Sequence, residues 1–191
     1  MTPSMVIAIL ALLSLVVIYI LAVGAADKRI EQLERLGEEY DGLTVEPEAS
    51  RLIHGTIEGL TVEVRTESVD HEHDEGGLTH LRVELPDGFP DDLIIGPAGE
   101  APDRAVVFEN DRVLTDDYAL WRQIGELPES LADLGEAFRA IVLPNTSAFG
   151  FEEGTLQTTV RTSMVPAPQL RKMLEAMVSI THRLAETREL S

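Results

Sequence analysis

Residues 5–26 (MVIAILALLSLVVIYILAVGAA) form an uncharged and almost wholly apolar run, and every Asp, Glu, Lys and Arg of the 191-residue chain lies after it. As a helix rising ~1.5 Å per residue, 22 residues reach roughly 33 Å, enough to cross a hydrocarbon core of about 30 Å. The run predicts a transmembrane anchor over residues 1–26, in contact with the lipid bilayer through residues 5–26. A cleaved secretion signal has a basic n-region, an apolar core of roughly 7–15 residues and small residues before the cut. Met1-Thr2-Pro3-Ser4 carries no base and the core is longer, while Gly24-Ala25-Ala26 has the form of a cleavage site. A secreted domain left after cleavage is therefore the alternative to a retained span. Lys28, Arg29 and Arg35 follow the run, which by the positive-inside rule places the large C-terminal part in the cytoplasm.

The residues after the anchor suffice for one domain and are too few for two comfortable ones. Residues 27–42 are expected to form a juxtamembrane amphipathic helix and residues 43–191 a single acidic α+β domain. The chain has 34 acids against 15 bases, a formal net charge of −19, and Lys28 and Lys172 are its only lysines. Nucleic-acid affinity rests on neutralising phosphates with basic side chains, so DNA and RNA are excluded as expected partners. An anionic leaflet repels the same surface, which favours a domain standing off the membrane and, as the sharper reading, a basic protein partner. Cysteine is absent, which removes disulfides, thiolate metal sites and a cysteine nucleophile.

Periodicity supplies the elements. Ile30, Leu33, Leu36 and Tyr40 recur at steps of three and four, one face of a helix that packs on its own domain or pairs with a second copy. Gly42 and Pro47 end that pattern. From Leu52 the period becomes two: Ile53 and Ile57, then Leu60, Val62 and Val64 after Glu58-Gly59, read as a hairpin. Leu78–Leu85, Leu93–Ile95 and Ala105–Phe108 extend this to a meander of four or five strands. Asp116–Ile124 suits a short helix or a strand. Ser130 and Asp133 have the form of a capping box, opening a helix through Leu131, Leu134, Phe138, Ile141 and Val142 that Pro144 stops. Ser147–Phe151 and Thr155–Arg161 around Glu152-Glu153-Gly154 predict a second hairpin. Leu170, Met173, Leu174, Met177, Val178, Thr181 and Leu184 predict a long closing helix after Pro166 and Pro168. The expected fold is α+β: an N-terminal transmembrane helix, then a two-layer domain of mainly antiparallel strands with a C-terminal amphipathic helix.

Candidate chemistry is sparse. His71 to Glu75 (HEHDE), with His80 just beyond, is the densest set of potential ligands, and imidazole with carboxylate suits zinc or a similar divalent ion. The metal-ligand candidates are thus His71, His73 and His80, set against the plainer reading of a solvated hairpin loop. The pairs Asp91-Asp92 and Asp116-Asp117 are what an acid-rich chain contains by composition. G-x-S-x-G, G-x-G-x-x-G and Walker A motifs are missing. No catalytic residue and no cofactor is expected. Trp121, near Tyr118, is read as core or domain edge, and Asn145-Thr146-Ser147 fits a glycosylation sequon. The expected function is a single-pass membrane-anchored, non-catalytic interaction or scaffold module. Its rival is a membrane-tethered metal-dependent enzyme built around the three histidines.

Overall fold

Two Glu-Gly turns frame the sheet. Glu58 and Gly59 adopt φ of 51° and 85°, and Glu153 and Gly154 adopt 50° and 74°, the paired left-handed conformations that let a two-residue turn follow the strand twist. The computed structural model describes residues 31, 33–38, 40, 42–46, 52–68, 77–103, 105–108, 118–123, 127, 134–143, 145–162 and 165–186. Within them lie strands β1 (Leu43–Val45), β2 (Leu52–Ile57), β3 (Leu60–Ser68), β4 (Gly77–Glu84), β5 (Leu93–Pro97), β6 (Val106–Phe108), β7 (Tyr118–Arg122), β8 (Thr146–Glu152) and β9 (Thr155–Val160). The helices are a stretch over residues 33–38, called α1, then α2 (Leu134–Ile141) and α3 (Ala167–Glu186).

The fold is α+β, with antiparallel strands and a C-terminal helix. Six strands pair in the order β1-β2-β3-β4-β9-β8, and β5-β7-β6 form a separate three-stranded sheet. The expected meander therefore stops at β4. Pro86 and Pro90 flank the turn at Gly88, neither can donate to a ladder, and the edge of β4 is taken by β9 from the far end of the chain. Asp116–Ile124, ambiguous between helix and strand, supplies the central strand β7 of the second sheet.

Alternation decides which face is buried. Ile53, Ile57, Leu60, Val62, Val64, Leu81, Val83, Leu156, Val160 and Phe149 share the inner face with the buried Thr66, Thr79 and Thr158. Thr79 and Thr158 spend their hydroxyls on the carbonyls of Thr162 and Ala148, at 2.6 and 3.3 Å. Every residue of the stripe read for the closing helix is buried in α3, joined by Ala167, Ala176 and Ile180. At ~1.5–3 kcal/mol per large apolar side chain, this helix is a main source of the domain's stability. Leu33 and Leu36 of α1 are 2% and 0% exposed in the same core, so the stripe packs on its own domain. Ile30 and the apolar run lie outside the described residues, and among those described no helix is long and apolar enough to cross a membrane.

Candidate functional site

The outer face of the six-stranded sheet gathers the first set of polar side chains. Antiparallel register places His80 opposite Arg65 on one side and Thr159 on the other. His80 Nδ1 lies 3.0 Å from Thr159 Oγ1, and Nε2 lies 3.8 Å from Glu67, whose other oxygen meets Arg65 at 3.0 Å. Of the expected metal ligands, His80 is thus part of a network with Glu67, while His71 and His73 lie outside the described residues. Among the described residues no group of three or more His, Cys, Asp or Glu is set to hold a metal ion.

A second cluster joins the end of α1 to α3. Tyr40 donates its hydroxyl to Glu175 at 3.0 Å, and Arg171 Nε donates to the same oxygen at 2.9 Å, one turn earlier on the helix. Burial, reinforced by the neighbouring carboxylate, pushes the Tyr40 phenol up to about 12. The Arg171 hydrogen bond holds the Glu175 carboxyl below its usual value, against the opposing effect of burial. The folded state keeps the Tyr40 proton longer than the unfolded chain does. The stabilisation is therefore complete below about pH 10 and is lost as pH rises through about 12. Tyr40→Phe is expected to cost about 0.5–1.5 kcal/mol at pH 8. In urea titrations that difference from wild type should shrink steadily between pH 10 and 12. A gap constant with pH would mean that the phenol contributes only shape.

The third feature is a groove of about 450 Å³ between the β4–β5 loop and the β8–β9 turn. Its apolar side is made by Leu85, Phe89, Leu93 and Phe151, with the rings of Phe89 and Phe151 5.3 Å apart and inclined by 57°. Asp87, Asp91, Glu152 and Glu153 form the rim. Leu85 N–H donates to Gly154 O at 2.9 Å and ties the two walls together, and Phe89 N–H donates to Pro86 O at 3.0 Å within the β4–β5 loop. Gln157 donates to the Glu152 carboxylate and accepts from Arg82 Nε at 3.3 Å, which steadies one rim acid.

The sequence motifs at this groove were legible only as turns. Pro86-Asp87-Gly88 and Glu152-Glu153-Gly154 signal chain reversal, but that the two reversals meet depends on the pairing of β4 with β9. Phe151 ends the expected strand Ser147–Phe151 and Phe89 follows the Pro86-Asp87-Gly88 turn, and nothing local to either residue signals that their rings meet. The paired acids part company: Asp91 is on the rim, whereas Asp92 is held by Arg122 through contacts of 2.8 and 3.2 Å. Asp116-Asp117 lies outside the described residues. The Trp121 ring lies across Gly96, where a Cβ would meet it at 2.9 Å, so this side chain packs on its own sheet. In the sequon, Asn145 Nδ2 donates to Arg161 O at 3.3 Å, drawing the amide into the β8–β9 pairing. Compared with known proteins, the chain matches no family model, no curated protein and no solved structure.

Proposed function

We propose that the chain is a single-pass membrane-anchored interaction module, held in the bilayer by residues 5–26, with its acidic α+β domain on the cytoplasmic side and available to a protein partner. The observation that carries this reading is the burial of Leu33 and Leu36 in the domain core, so soon after the apolar run ends at Ala26. The intervening residues span no more than about 25 Å fully extended, and roughly 10 Å as a helix. An embedded run would thus hold the folded unit close to the lipid with little slack, as suits a module that presents a binding surface at a membrane. The net charge of −19 opposes adhesion of that unit's surface to anionic headgroups, which leaves the tethered surface open to a protein partner.

The test is fractionation of cells expressing the full chain. Carbonate-washed membranes are expected to retain it, and protease added outside intact cells should leave the domain uncut. Leu15→Arg with Val16→Arg puts two charges at mid-span, at ~2.5–3.5 kcal/mol each, and should move the protein to the soluble fraction. Release by carbonate, or digestion from outside, would overturn the reading. Stoichiometric zinc in the same purified protein, lost on His80→Ala, would do so too, in favour of a metal enzyme using His71, His73 and His80.

A further inference from the structure

We infer that the groove between the β4–β5 loop and the β8–β9 turn is the docking site, and that its occupant is an arginine-bearing extended segment of a partner protein. This inference rests on the interaction-module reading and names the chemistry of the partner. The groove joins two properties that single out such an occupant. Its floor is apolar and aromatic, with Leu93 buried and Phe89, Phe151 and Leu85 half-buried. Its rim carries Asp87, Asp91, Glu152 and Glu153, all exposed, and among the described lining residues there is no Lys, Arg or His.

A guanidinium answers both properties at once. Its planar, weakly hydrated face stacks on an aromatic ring, and its five N–H donors reach carboxylates in a fork. Lysine offers a point charge without the planar face, and is the weaker match. Nucleic acid and anionic lipid have the wrong sign. A second copy of this chain is also disfavoured, since 34 acids against 15 bases on each copy make the encounter repulsive. The volume of about 450 Å³ lies in the ~300–1,000 Å³ range of ordinary binding clefts, room for a short stretch of side chains. The walls need little ordering on binding, because the Leu85–Gly154 hydrogen bond and the left-handed pair Glu153-Gly154 already set them.

The test uses the full chain in detergent and a fluorescein-labelled peptide, Gly-Arg-Leu-Arg-Leu-Arg-Gly, read by anisotropy at 50 mM salt. Saturable binding is expected, weakened at least about tenfold at 500 mM salt as the charges are screened. Asp87→Asn with Asp91→Asn and Glu153→Gln should weaken it about tenfold or more. Phe89→Ala should weaken it roughly fivefold, in the range of one cation–π contact. The control neutralises Glu34, Glu100 and Glu136, exposed acids that do not line the groove, and should leave affinity within about twofold. A lysine-for-arginine peptide should bind several-fold less well.

Absence of saturable binding would overturn the inference. Equal weakening by the groove and control triples would do the same, since it would make the affinity a property of net charge. So would self-association of the chain in sedimentation that the groove triple abolishes, because the occupant would then be a second copy. These outcomes are separable from the parent reading: a chain retained in membranes that ignores the peptide loses the groove alone, and one that binds the peptide yet washes off membranes loses the anchor alone.

Discussion

Gly55→Ala is expected to detach β1 and cost about 2–4 kcal/mol, through lost hydrogen bonds and lost apolar burial. A Cβ on residue 55 would lie 1.9 Å from Gly42 O and 2.8 Å from Leu43 Cα, both backbone atoms that cannot swing aside as a side chain could. The chain at 42–43 must retreat, breaking the Thr56 N–H bond to Gly42 O at 3.2 Å and the Leu43–Gly55 pairing. The damage should also reach α1, which lies beside β1: a Cβ on Gly37 would meet Val45 Cγ2 at 3.3 Å. Hydrogen exchange is the decisive measurement. Amides of β1 and α1 should lose protection while those of β4, β9 and β8 keep theirs, since opening is local where few contacts tie an element down. Uniform loss across the sheet would show that β1 is integral to one cooperative unit, and unchanged protection would mean that the strand pair absorbs a methyl group.

Phe138→Ala is expected to lower the unfolding free energy by about 3–5 kcal/mol, the usual loss when a buried Phe leaves a cavity. Phe138 is fully buried on α2, and its ring meets Phe149 edge-on, with centroids 5.5 Å apart. Phe149 in turn meets Tyr118 at 5.6 Å, so the aromatic chain links α2 to the six-stranded sheet and then to the three-stranded one. Removal of this end ring leaves Phe149 with an uncovered edge and cuts the link from α2 to the two sheets. Against a typical stability of ~5–15 kcal/mol, this is a large fraction, and thermal unfolding of the full chain in detergent should shift down by several degrees. Phe138→Leu should fall between the alanine variant and wild type. A loss under about 1 kcal/mol would mean that α2 settles into the gap.

Much of the fold was legible locally. The hairpins at Glu58-Gly59 and Glu153-Gly154 follow from a period of two around residues that tolerate positive φ, and α3 follows from apolar spacing held over about four turns. Strands β5 and β6 are short runs whose existence was readable but whose partners were not. Their pairing with β7 passes over stretches of chain that carry no register signal, and the same is true of β4 with β9. The groove stands at the same disadvantage. Phe89 and Phe151 are far apart in the chain, and only the ladder between β4 and β9 brings their rings within 5.3 Å.

Two things were determined by the residues alone: the identity of each strong element, and a strong excess of acids over bases with an apolar run ahead of it. Both depend on short-range spacing or on simple composition, so no knowledge of neighbours in space is needed. The tertiary structure decided which strand edges meet, which acids are paired and which stand free on a rim, and that Leu33 and Leu36 belong to the domain core. Those outcomes are set by closing long loops and burying shared apolar area, a competition among distant segments that no local pattern encodes.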